Sequence, residues 1–186
     1  DVVVGNTCVL LDRDPSSAER RKLYGRAGEF RTPSYGVEYR TLSNFWLRSY
    51  QLMSCVTGLA RLAASILYTS KLSELSPENY PPRLYGFHEQ ELLKKVNMPS
   101  VVKAINENDF GLAENNFQGL KAFIMKAGHS INNMAISDQT MANFERFYRR
   151  IEREGLKTWF PTDPMTHWCN LPDGHGRGFE SFLSRI

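Results

Sequence analysis

The chain opens on an apolar run, residues 2–11, that contains Gly5 and Asn6. Periodicity alone leaves a strand pair and a buried helix open for so short a run, and the reading taken here is a short buried helix. Asp14, Pro15, Ser16 and Ser17, followed by Glu19 and Arg20, open a loop or helix start, and Gly25 and Gly28 then break the pattern. Two short alternating segments come next, residues 28–31 and 36–40, joined by Thr32-Pro33-Ser34-Tyr35, which is turn chemistry. They predict a β-hairpin.

From Asn44 onward the apolar period becomes that of a helix, with Leu52, Cys55, Val56, Leu59, Leu62, Ala63, Ile66 and Leu67 on one stripe. This predicts a long core-facing helix with Ser43 or Asn44 as its N-cap, because a short side-chain oxygen can accept from the orphan N–H groups of the first turn. Pro77, Pro81 and Pro82 make residues 76–84 a loop. Further helices are expected over residues 88–96, 100–106, 117–127 and 139–154, and residues 159–182 form a tail rich in Gly, Pro and aromatics. The pattern carries no internal repeat. It is that of an α+β protein, an antiparallel hairpin at about residues 28–41 backed by several helices.

Composition narrows this picture. With 186 residues, 41% of them hydrophobic and 23% charged, the chain can bury a core and is expected to be a single domain. It starts at Asp1, without Met, directly in an apolar run, which suggests a processed or truncated start and the C-terminal portion of a larger domain. The most apolar stretch, residues 45–67, contains Arg48 and Arg61, so no membrane span is expected and the protein reads as soluble. Cys8, Cys55 and Cys169 are far apart and odd in number, as reduced cytosolic thiols would be. The charge is uneven: residues 13–31 hold six basic and three acidic side chains, an excess equal to the +3 of the whole chain.

That basic segment contains Arg20, Arg21, Lys22, Arg26 and Arg31 with Gly25 and Gly28. Guanidinium forks and close backbone approach suit polyphosphate, while a solvated basic loop has the same composition. In the hairpin, Glu29-Phe30-Arg31 and Glu38-Tyr39-Arg40 repeat the order acid, aromatic, arginine. Side chains two apart on a strand share a face. With a two- or four-residue connection, Glu29 faces Glu38, Arg31 faces Gly36, and all four charges lie on one side. Such a face can hold a divalent cation and anionic oxygens, or simply form cross-strand salt bridges.

Other candidates are weaker. His167, Cys169 and His175 match no zinc spacing, and the glycine-rich segment around His175 and Arg177 is a turn or a flap over a ligand. His88 and His129 lie at expected helix ends and read as structural, Cys55 lies on the core stripe, and Cys8 and Cys169 stay open as nucleophiles. Residues 145–154 form an amphipathic helix whose acids offset its bases.

Arg20-Arg21, Tyr24-Gly25, Ala27-Gly28, Phe30-Arg31, and then Tyr35-Gly36-Val37-Glu38-Tyr39-Arg40 with Leu42-Ser43-Asn44-Phe45-Trp46, form a dense pattern. It resembles the phage-encoded carboxylate–amine ligases, the COOH–NH2 ligase or amidoligase group. The resemblance implies a fold like glutamine synthetase and glutamate–cysteine ligase. It implies ATP- and magnesium-dependent activation of a carboxylate to an acyl phosphate, then attack by an amine. On these residues, Glu38 and Glu29 would be metal ligands, and Arg40 and Arg31 would stabilise the transferred phosphoryl group beside Glu38. Arg20, Arg21, Lys22, Tyr24 and Arg26 would hold the nucleotide, and Asn44 would orient a ligand or cap the helix.

It further implies small-molecule or peptide carboxylate and amine substrates, in the cytoplasm of a phage host. The relatives' upstream strands, with further acids and histidines, have no equivalent here, so a complementing chain, a homo-oligomer or a catalytically incomplete fragment is implied too. A non-enzymatic phosphate- or nucleic-acid-binding module is the other class. Glu29 and Glu38 beside the basic loop argue against it, since carboxylates repel a nucleic-acid backbone.

Overall fold

The computed structural model describes residues 1–12, 14, 16–48, 50–75, 78, 87–131, 142 and 149. Apart from isolated positions, the expected loop at 76–84, helix at 139–154 and tail at 159–182, with His167, Cys169 and His175, lie outside the described residues. The described elements are α1 (Gly5–Leu11), α2 (Ser16–Leu23), β1 (Phe30–Arg31), β2 (Glu38–Tyr39), a 3-10 turn at Asn44–Arg48, α3 (Tyr50–Leu75), α4 (Glu89–Leu93), α5 (Met98–Glu107) and α6 (Phe110–Ile131). Among the described residues the architecture is helix-rich with one small antiparallel sheet.

α1 sits at the centre, and all its residues are buried. A helix apolar on every side belongs inside a core. The two positions that interrupt its run have different reasons. A Cβ at Gly5 would press on the Tyr39 hydroxyl and on Ile105. The amide of Asn6 donates from Nδ2 to the carbonyl of Ala113 at 3.0 Å, and its Oδ1 accepts from Asn116 Nδ2 at 3.0 Å. The Ser100 hydroxyl in turn donates to Asn116 Oδ1. One satisfied polar chain therefore ties α1, α5 and α6 together, where an unpaired amide would destabilise the core.

α5 and α6 close over α1 with Val101, Ala104, Ile105, Ala113, Phe117, Leu120 and Ile124, all buried. α5 begins as its sequence suggests, with Asn97 accepting from the Ser100 N–H, and ends at Asn108 in the left-handed region, φ 53°. α6 begins much earlier than residue 117. Asp109 Oδ1 accepts from the Leu112 N–H and caps the helix, and Glu114, Asn115 and Asn116 continue it as ordinary turns. α4 is shorter than the expected 88–96.

α3 follows the predicted stripe, with Leu52, Cys55, Leu59, Leu62 and Ile66 in the core, but Leu67 is 54% exposed and points away. The expected cap is corrected: α3 begins at Tyr50, beyond the reach of Ser43 or Asn44, and Ser43 instead accepts from the Phe45 N–H at 3.3 Å at the entry of the 3-10 turn. The window Leu52–Leu75, which contains Arg61, is long and apolar enough to cross a membrane by length and composition alone, as the core helix of a folded protein also is, and 44% of it is buried inside the fold.

Candidate active site

The hairpin register differs from the expected one by two residues. Phe30 faces Tyr39 and Arg31 faces Glu38, which leaves residues 32–37 as the loop. The Arg40 N–H donates to the Glu29 carbonyl at 3.0 Å, so Glu29 lies opposite Arg40. A shift of two preserves the face and changes the partners. All four charges remain on one side, and each acid is now opposite an arginine.

The pairs form a line of alternating sign. Arg31 donates from Nε to Glu38 Oε2 at 2.6 Å, with its Nη2 2.5 Å from the same oxygen. Arg40 lies between the two carboxylates, 3.6 Å from Glu38 Oε1 and 3.6 Å from Glu29 Oε1. Glu29 Oε2 also accepts from the backbone N–H groups of Gly25 and Arg26. The cross-strand salt bridges offered as the plain alternative are thus present in the structure.

Arg40 is aimed by a second layer. Its guanidinium lies on the Tyr24 ring, 4.2 Å from the centroid, and its Nε donates to the Tyr24 hydroxyl at 2.8 Å. Arg20 lies on the same ring at 4.5 Å and donates to the carbonyls of Arg40 and Thr41. Gly25 is required here. Its φ of +84° suits glycine, and a Cβ would run into the Arg20 guanidinium. Thr41 donates to the Arg26 carbonyl and Asn106 Oδ1 accepts from the Ala27 N–H, which anchors the glycine loop to the strand and to α5.

The remaining expected ligands are dispersed. Arg21, read from the sequence as a phosphate ligand, turns into the core, 2% exposed, and donates from Nη1 to the Ile105 carbonyl at 2.6 Å. Burial lowers its pKa, with Asp12 opposing. It fastens α2 to α5 and does not join the groove cations, because α2 presents adjacent arginines in different directions. Lys22 is exposed and paired with Glu19 at 2.7 Å, and Arg26 is exposed with its Nε on the Arg21 carbonyl. Asn44 is exposed on the groove rim. Cys8 is fully enclosed, and burial first, then Cys55 and Asp12, pushes its thiol well above the ordinary range, so it has no nucleophilic thiolate.

Beside β2 runs a groove of about 860 Å³. Arg20, Tyr24, Glu38 and Arg40 form its charged end, and Trp46 with Ala60, Ala64 and Leu67 of α3 forms an apolar wall. Sequence reading placed Leu67 in the core and missed this wall. It also missed Asp12, buried at 2%, whose Oδ2 accepts from both Ser17 and Ser43 at 2.7 Å and so joins α1, α2 and the 3-10 turn. No local signal marks this joint, since Ser17 and Ser43 stand five and thirty-one residues from Asp12.

The carboxylates fit a metal only in part. Among the described residues no three His, Cys, Asp or Glu side chains converge on a point. Glu29 Oε2 is committed to the Gly25–Arg26 turn and Glu38 Oε2 to Arg31, so each acid has its Oε1, 3.6 Å from Arg40, as the oxygen that could turn to a cation.

The chain belongs to the phage phiEco32-like COOH.NH2 ligase, type 2, family, whose model matches residues 1–139, the whole of this site included. No curated protein and no solved structure matches it.

Proposed function

We propose that this protein is an ATP-dependent carboxylate–amine ligase that works through an acyl phosphate, with its reacting centre at the Glu38–Arg40 end of the groove. The carrying observation is the charged face on which Glu38 and Arg40 meet at the end of a substrate-sized groove, with Arg31 paired to Glu38 from outside the groove lining. Arg40, held by Tyr24, offers a preset cation to the oxygens of a transferred phosphoryl group, and an aligned charge in a half-buried site stabilises developing charge strongly. Arg31 adds a second cation from the opposite strand. Arg20 acts behind Arg40 as a positioning residue, since its donors are spent on backbone carbonyls. Lys22 and Arg26, exposed at the edge of the glycine loop, are the cations left to take nucleotide phosphates.

Glu38 would hold magnesium together with phosphate oxygens, the usual way this ion is bound, and the ion would neutralise charge on the nucleotide. The superfamily reading, a sheet of the glutamine synthetase and glutamate–cysteine ligase kind, and a cytoplasmic setting belong to the same proposal. Every arginine of the face has an acid within reach, which disfavours a nucleic-acid backbone as ligand.

Titration of ATP with and without magnesium tests this. Binding should require magnesium in the wild type and weaken by about tenfold or more in Glu38→Gln, as loss of a metal contact does. Absence of ATP binding to the wild type, or binding indifferent to magnesium, overturns the reading.

A further inference from the structure

The geometry points to the outer edge of β2, which no described residue pairs, as a docking edge for an extended peptide segment that carries the reacting carboxylate. This rests on the ligase reading for the role of the carboxylate alone. Arg31 and Glu38 are paired, and Arg40 donates its N–H to the Glu29 carbonyl, so these are the hydrogen-bonded positions of the hairpin. Tyr39, between them and opposite Phe30, is then a non-hydrogen-bonded position whose own N–H and C=O point away from β1.

The groove lies on that side. Val37, Tyr39 and Arg40 line it, and no residue of β1 does. Unpaired main-chain groups along a strand edge are a template for one more strand, and peptide-recognition modules use this mode of binding.

The opposite wall fits such an occupant. An extended chain sends alternate side chains to one side, and the side facing α3 meets Ala60, Ala64 and Leu67, small or aliphatic groups on an exposed helix face. The Thr57 hydroxyl on this wall is engaged with the carbonyls of Met53 and Ser54, so the wall reads shape and not hydrogen bonds. A nucleotide base would leave its polar edge unmet there. At the end of the edge stands Arg40, complementary to a carboxylate, beside Glu38. A member of a COOH.NH2 ligase family must bring a carboxylate to its reacting centre, and a peptide laid along β2 delivers one there.

The test follows backbone amide NMR signals of the intact protein, titrated with acetyl-Ala-Val-Ala-Val carrying a free C-terminal carboxylate. The expected result is a shifted Tyr39 amide that becomes protected from exchange. The C-terminal amide of the same peptide should bind about tenfold more weakly, a difference of about 1.4 kcal/mol. A peptide N-methylated at alternate residues should not bind. Ala64→Trp and Ala60→Trp, each a change on an exposed helix face, should abolish peptide binding while the remaining amide signals stay in place.

Three results overturn the proposal. The N-methylated peptide binds as well as its parent. The Tyr39 amide is unmoved by millimolar peptide, or is already protected in the free protein because this chain's own residues fill the edge. Or ATP, in place of the peptide, perturbs the α3 wall and is lost in Ala64→Trp. No arm uses catalysis, so failure here leaves the magnesium-dependent ATP titration standing, and failure of that titration leaves the edge testable.

Discussion

Leu10, Leu11, Ile105, Leu120 and Ile124 are fully enclosed in the helical core, where the Asn6 amide is tied on both sides. The hairpin has two residues per strand, half-exposed charges, and a fold imposed from outside by Arg20, Asn106 and the Gly25 turn. The core is therefore specified many times over by apolar volume. The charged face is specified once, by a few oriented bonds. Damage to the core should cost stability, and damage to the loop behind the hairpin should cost geometry at Arg40 with less loss of stability.

That contrast can be broken at several points. Ile105→Ala, a deep truncation beneath both α1 and Arg21, should lower unfolding free energy by about 2–5 kcal/mol in urea denaturation. A loss below about 1 kcal/mol would mean that the core is looser than its burial indicates. Gly25→Ala should destabilise by about 1–3 kcal/mol, through the left-handed backbone and the displaced Arg20. It should reduce ligand affinity further than its stability loss explains. If affinity is unchanged, Arg20 does not position Arg40.

The next effect is one of pH. Burial raises the Tyr39 pKa from 10.0 to about 12, with the phenol donating to Asp1 at 2.6 Å. A raised folded value means that the unfolded chain gives up this proton first, so the contribution is complete below pH 10 and is lost as pH climbs towards about 12. Cys55, raised by burial from 9.0 to about 12, acts in the same direction from slightly lower pH. Tyr39→Phe should therefore flatten the fall of stability with pH in that alkaline range, measured as the denaturation midpoint at each pH. An unchanged slope would assign the alkaline loss to Cys55 and its neighbours.

The smallest effect on stability should come from Arg31→Gln. Its partner pair is more than a third exposed on both sides, so solvent screening leaves it worth about 0–0.5 kcal/mol. A larger loss of stability would show that the charged face helps to hold the fold, and would erase the contrast between the two regions.

Much of this was legible in the chain itself. The stripe Leu52, Cys55, Leu59, Leu62, Ile66 identified α3 because a period of 3.6 has few other causes, and two short alternating segments around Thr32-Pro33-Ser34-Tyr35 identified the hairpin. The early start of α6 was not legible, since Asn115 and Asn116 look like breakers until Asn116 is seen to bond Asn6 across the core. The groove was invisible too. It is formed by the exposed side of α3, and an amphipathic pattern says nothing about which distant strand will stand opposite its outer face.

By itself the sequence determined the kinds of element, the face shared within each pair Glu29–Arg31 and Glu38–Arg40, and the resemblance to carboxylate–amine ligases, since these follow from local period and local residue identity. Tertiary structure decided the register that sets Arg31 against Glu38, the opposite fates of Arg20 and Arg21, and the union of β2 with α3 around one groove. Pairing partners and burial depend on contacts between residues far apart in the chain, and a period fixes which side chains travel together without fixing what they will meet.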